Sequence, residues 1–168
     1  MFEPKPISRD GVPSALAKAE RYRLLNEPGE AESICLDVLQ IEPGNQDAIV
    51  ALLLSLTDQF PDEAGTCASL AARADGLIGD LTDPYDREYY KGIIRERRAK
   101  AALQRDSFHS SASAVGWLHE ALACFERAES LKPAHNDDAV LRWNACARMM
   151  QRLPHAAVET AREPIESE

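Results

Sequence analysis

Lys91, Arg95 and Arg98 stand at i, i+4 and i+7, a spacing that gathers three cations on one face of a helix. In a chain of formal net charge -9, such a stripe could accept a carboxylate or an acidic peptide; the competing reading is a solvated face paired to Glu88 or Glu96. Residues able to do covalent or metal chemistry are less well placed. His109, His119, His135 and His155 fall in a loop, a helix, a turn and a tail, with no H-E-x-x-H pair, nucleophile elbow or phosphate-cradling glycine loop. Cys35, Cys67, Cys124 and Cys146 occur one per expected helix without a C-x-x-C pair, and read as small buried hydrophobes instead of zinc ligands. The run His135-Asn136-Asp137-Asp138 contains metal-ligating types, but a helix-capping turn explains them equally well. No catalytic residue, cofactor or metal is therefore expected.

The elements that would hold these residues repeat. Ala31/Cys35/Val38, Ala64/Ala68/Ala71 and Ala121/Phe125/Ala128 each fall at +0, +4 and +7, the signature of stacked helical hairpins that cannot bury their apolar faces singly. The first and third copies agree further. Glu30-Ala31 matches Glu120-Ala121, and Gln40-Ile41-Glu42-Pro43 aligns with Ser130-Leu131-Lys132-Pro133, each run ending a helix at a proline that lacks the N–H and clashes with the turn before it. Polar turns through Asn45 and through Asn136 then lead into new apolar helices. Upstream, Ala19 and Tyr22 sit on a helix that stops at Asn26-Glu27-Pro28-Gly29, a strong turn signal.

Ala19, Tyr22, Ala31, Cys35, Val38 and the closing Pro43 together resemble the tetratricopeptide repeat, whose hairpins are roughly 34 residues long. The resemblance spans about residues 12–152. It departs from the family where the usual early Trp is missing, where Cys35 replaces a common aromatic, and where Gly76 stands for a closing proline. It implies an all-α, right-handed α-solenoid of about three hairpins plus a C-terminal capping helix, about seven helices in all. The expected organisation is an N-terminal tail over 1–11, repeats over about 12–45, 46–79 and 84–133, a capping helix over 137–153, and an acidic tail over 154–168 carrying Glu159, Glu163, Glu166 and Glu168. Expected helices run about 13–25, 30–41, 46–60, 62–77, 84–104, 112–131 and 137–153, with Asp62 capping the fourth and a serine-rich loop at 105–111. The long fifth helix and this loop elongate the third hairpin.

In that family the first helix of each hairpin lines a concave groove. The resemblance places Arg23, Leu54, Asp58, Lys91, Arg95 and Arg98 there, a groove apolar in the middle and basic at one end. It lacks the family's chaperone-binding clamp, since Glu20, Arg23 and Leu54 stand where that clamp needs Lys and Asn. Trp117 and Trp143 occupy helical apolar positions and read first as core, although tryptophan also suits tight interfaces. Trp143 lies on the last helix, which no hairpin follows. That helix is either a polar cap, given Arg142, Asn144, Arg148 and Gln151, or its open face carries Trp143, Met149, Met150 and Leu153 into a homodimer.

Composition sets the outer bounds. A length of 168 residues with 45% hydrophobic and 28% charged content suits one globular domain. The acidic balance argues against nucleic acid, whose phosphates need Lys and Arg, and against an anionic membrane surface. No apolar run approaches 18 residues, and Met1-Phe2-Glu3-Pro4-Lys5-Pro6 has no signal-peptide core. The expectation is a bacterial-type cytoplasmic adaptor that binds a protein or peptide, with a dedicated export or assembly chaperone and a self-assembling structural unit as alternatives.

Overall fold

The computed structural model describes residues 2–61, 67–104 and 108–153. Among these it contains seven α-helices and no strand: α1 (Val12–Leu24), α2 (Pro28–Ile41), α3 (Gln46–Asp58), α4 (Cys67–Leu77), α5 (Pro84–Leu103), α6 (Phe108–Leu131) and α7 (Asp138–Gln151), with 3-10 turns at Arg9–Gly11 and Ile78–Asp80. The Asp62 cap, Ala64, His155 and the acidic tail lie outside the described residues, as do 105–107 of the expected loop. No described helix is long and apolar enough to cross a membrane.

Local chemistry sets most of the boundaries. Pro13 sits in the first turn of α1, where its missing N–H would be unpaired anyway. The helix ends in a Schellman motif. Asn26 adopts φ 60°, its N–H donates to the Arg23 carbonyl at 3.0 Å, and the N–H of Glu27 donates to that of Tyr22 at 2.9 Å, satisfying two carbonyls that helix ends otherwise leave orphaned. Pro28 then opens α2. Side-chain caps start two of the others: Asn45 Oδ1 accepts from the Ala48 N–H at 2.9 Å before α3, and Asp83 Oδ1 accepts from that of Tyr85 at 2.8 Å before α5, each such bond stabilising a helix by about 1 kcal/mol. The His135 turn is a cap as well. His135 takes φ 64°, and Asn136 Oδ1 accepts from the Asp138 N–H at 2.9 Å.

The largest boundary difference from the sequence reading is in α6, while α2 starts two residues earlier and α3 ends two residues sooner than expected. α6 begins at Phe108, so residues 108–111 of the expected loop are helical. Serine costs a helix less than about 0.7 kcal/mol relative to alanine, and pairing with α5 is enough to override that.

The chain divides into two compact units, Met1–Thr82 and Asp83–Glu168. In the first, α1 packs on α2, α2 on α3 and α3 on α4, and α1 also meets α3. α3 is its most buried helix, with seven of thirteen residues inside, Ile49, Leu52, Leu53 and Leu56 among them. Its two buried hydroxyls are satisfied locally: Ser55 Oγ donates to the Ala51 carbonyl at 2.7 Å and Thr57 Oγ1 to that of Leu54 at 2.9 Å. Ile7, within the segment expected as a tail, packs against Val12, Val38 and Ala48. In the second unit α5 pairs with α6, and α6 with α7.

Small residues decide where helices nest. Ala31, Cys35 and Val38 are all fully buried, as are Ala121, Phe125 and Ala128. The second copy needs correction: Ala68 is exposed, and the buried series is Cys67/Ala71/Ala74, three residues further on. α4 carries alanine on its exposed side too, at Ala68 and Ala72, so small size alone could not fix the register. The corrected register is internally consistent, because the buried small residues Ala19 and Ser55 each precede their triads by twelve positions. It also moves the counterpart of the closing proline from Gly76 to Gly79, within the second 3-10 turn.

In the second unit the small position is Gly92 of α5. A Cβ built there would lie 2.5 Å from Cε1 of Phe125, inside van der Waals contact, and the fully buried Phe125 ring has nowhere to move. Gly92→Ala should therefore lower stability by about 1–2 kcal/mol, the overpacking cost exceeding the roughly 1 kcal/mol helix-propensity gain. Gly76→Ala, whose new Cβ would meet nothing within 4 Å, should raise stability by about 0.5–1 kcal/mol. Urea denaturation of the two variants checks both signs.

Candidate functional site

Three of the six residues expected in a groove come together in the first unit. Leu16, Ala17, Glu20 and Arg23 of α1 and Asp47, Val50, Ala51 and Leu54 of α3 line a cleft of about 450 Å³. A second hollow of about 230 Å³, lined by Glu20, Arg23, Leu24, Asn26 and Asp58, shares Glu20 and Arg23 with it. The helical repeat explains the grouping, since positions three, four and seven apart share a face: 16, 20 and 23 on α1, and 47, 51, 54 and 58 on α3.

Arg23 Nε donates to Asp58 Oδ2 at 2.8 Å, with both side chains mostly buried. This pair joins the last turns of the two helices, while Leu16 and Asp47 come from their earlier parts. The helices thus run in the same direction along the cleft. The lining contains no histidine, cysteine or hydroxyl; its ionisable groups are the carboxylates Glu20, Asp47 and Asp58 and the Arg23 guanidinium. Beneath it, burial pushes the Cys35 thiol up to about 11; Arg23 pulls the other way and Glu32 adds to the rise.

Lys91, Arg95 and Arg98 belong to the second unit, and each is engaged there. Lys91 Nζ lies 3.1 Å from Glu88 Oε1, one of the pairings weighed from sequence. Arg95 Nε bonds Glu120 Oε2 at 2.8 Å, and the Arg98 guanidinium stacks over the Trp117 ring at 4.4 Å. Arg127 Nε reaches back to Glu88 Oε2 at 2.7 Å. Partners advance along α5 as they retreat along α6: Glu88 with Arg127, Arg95 with Glu120, Arg98 with Trp117. The basic stripe is one zipped edge of an antiparallel helix pair. Glu88, although burial opposes its ionisation, has its pKa held below the usual carboxylate range by Arg127 and Lys91.

Glu96 lies elsewhere on α5. Its carboxylate is fully buried, Oε1 accepts from Lys100 and lies 3.4 Å from Arg142 Nη1 of α7, and Oε2 has no partner among the described residues. A charge this deep is tolerated only because it is paired. Burial first, and then the Glu96 charge, push the neighbouring Cys146 thiol up to about 12 against the pull of Lys100 and Arg142. Of the interface candidates, Trp143 Nε1 donates to Glu126 Oε1 at 3.1 Å, and Met149 and Met150 are half-buried. The apolar side chain that α7 exposes is Leu141, at 64%, which the sequence reading did not single out.

No family model, curated protein or solved structure matches the chain.

The sequence reading passed over Asp47, Val50 and Ala51, and placed Glu20 only as a departure from the clamp. The signal was available in their spacing, 47, 51, 54 and 58, but Asp47 reads with Asn45 as part of the polar turn that leads into α3.

All four cysteines are buried and free. Because the folded values of about 11 for Cys35 and about 12 for Cys146 lie above the solvated 9.0, their stabilising contribution is complete below pH 9 and is lost as pH rises through the folded values. A thiol-specific disulfide reagent at pH 8 should leave both unreacted until denaturant is added. In the Cys35→Ala/Cys146→Ala variant, the loss of stability between pH 9 and pH 11, followed by urea midpoints, should be smaller than in the parent chain.

Proposed function

We propose that this chain is a tetratricopeptide-like adaptor that holds a peptide or partner helix against the α1/α3 face of its first unit. The observation carrying the reading is the cleft itself: the first helices of two successive hairpins leave an open hollow, apolar along its floor and charged at its border, that gathers Arg23, Leu54 and Asp58. The contact between α1 and α3 supports a stacked-hairpin solenoid, since stacking brings each first helix against the next. So does the register shared by Ala19/Ala31 and Ser55/Cys67. On this reading α7, with Arg142, Asn144 and Arg148, is the polar cap such an array requires. The Lys91, Arg95 and Arg98 edge then serves to align a hairpin, and the recognition surface lies on the first unit.

Photo-crosslinking tests the assignment. A benzoylphenylalanine at Ala51, in the cleft, should yield a discrete protein adduct in cells expressing the chain. The same label at Gly29, on the exposed start of α2, should not. Equal labelling from both positions would contradict the assignment, and an Ala51 adduct containing only two copies of this chain would favour self-assembly instead.

A further inference from the structure

The charges around the α1/α3 cleft point to the chemistry of its occupant, an inference that rests on the docking reading above. Three carboxylates, Glu20, Asp47 and Asp58, border it against one guanidinium, Arg23. Arg23 is bonded to Asp58 at 2.8 Å, so that pair presents little net charge. Glu20 and Asp47 remain. Both are exposed, and neither bonds a cation among the described residues.

Their placement matters as much as their sign. Asp47 lies in the first turn of α3 and Asp58 at its end; at 1.5 Å per residue the floor between them is about 16 Å long, room for about three helical turns. α1 and α3 run in the same direction, and Glu20 stands one turn before Arg23, the partner of Asp58, so Glu20 borders the far half of this floor. The surface is thus acidic at Asp47, apolar through Ala17, Val50, Ala51 and Leu54, and acidic again at Glu20. A carboxylate-rich peptide entering it would meet like charge at both ends.

We infer that the cleft takes a basic amphipathic helix of about three turns, its apolar stripe on Ala17, Val50, Ala51 and Leu54 and its Lys or Arg side chains on Asp47 and Glu20. Helix-in-groove recognition reads such a ligand through apolar anchors at i, i+3, i+4 and i+7. The acidic border adds selection by sign. The occupant assigned here is thus opposite in charge to the acidic peptide that Lys91, Arg95 and Arg98 brought to mind.

The test uses the full chain and two acetylated, amidated twelve-residue peptides of one design, leucines at i, i+3, i+4 and i+7 with either Lys or Glu at every polar position. Fluorescence anisotropy should show the Lys peptide binding at least tenfold tighter than the Glu peptide. Glu20→Lys/Asp47→Lys should weaken the Lys peptide by about thirtyfold, the effect of two surface charge pairs at the upper end of their range. Glu30→Lys/Glu129→Lys, which changes the net charge equally at exposed sites that do not line the cleft, should change binding less than threefold. Equal weakening by the two double variants, or tighter binding of the Glu peptide, would overturn the charge assignment. Ala51→Trp, filling the cleft, separates the two levels, with circular dichroism confirming that it folds. If it abolishes binding of a preferred Glu peptide, docking stands and the basic occupant fails; if neither peptide binds, or binding ignores Ala51→Trp, both fail.

Discussion

At Gly92 the backbone of α5 lies so close to the Phe125 ring that one added methyl group would sit 2.5 Å from it. That approach is what the rest of the second unit depends on. Dispersion weakens steeply with a gap of even half an ångström, so the packing of Ile93, Ile94, Ala121 and Ala128, all nearly fully buried, requires the helices to stay near. The same nearness lets short-range polar contacts close along the edge, from Glu88 and Arg127 to Arg98 and Trp117. The ion pairs are each worth at most about 1 kcal/mol, and the Arg98–Trp117 stack about 0.5–2 kcal/mol. Their value is in direction, because like charges would face one another if the pair slipped along its axis. In the first unit the small residues Ala19, Ala31, Ser55 and Cys67 are likewise buried.

The distribution of charge follows from this packing. The cations that look most available in the sequence are those the α5/α6 pair consumes, and Lys100 and Arg142 flank the buried Glu96. On the α1/α3 face the one guanidinium is bonded to Asp58, which leaves the acids of that face to set its potential. Spacing along one helix shows which charges stand together. It does not show which of them a neighbouring helix neutralises.

Helix identities and most ends were legible because they rest on local chemistry. Pro84 in a first turn, Asn45 and Asp83 ahead of their helices, and the turn at Asn26 are each settled within five residues of chain, whereas Pro28, read as part of that turn, instead opens α2. The register of α4 was not, because Ala68, Ala71, Ala72 and Ala74 differ little in size and only the packing of α3 against α4 separates inside from outside. The start of α6 was hidden for a related reason, as serine reads as loop unless a partner helix holds it. For the site, positions 23, 54 and 58 followed from the helical faces that the resemblance places in a groove, whereas Asp47 is absorbed into the polar turn through Asn45. The fate of Arg95 and Arg98 depended on Glu120 and Trp117, 25 and 19 positions ahead of them on α6.

These constraints join into one scheme in which small residues set the distance between helices and edge charges set their alignment. The cleft is the surface that α1 and α3 leave open once their apolar cores are nested. Its proposed role follows only if hairpins nest at the small positions. The most direct measurement is the Gly92 Hα resonance by solution NMR. Nesting predicts marked ring-current shifts of these protons together with strong nuclear Overhauser contacts to the Phe125 ring; unperturbed Hα shifts without those contacts would contradict it.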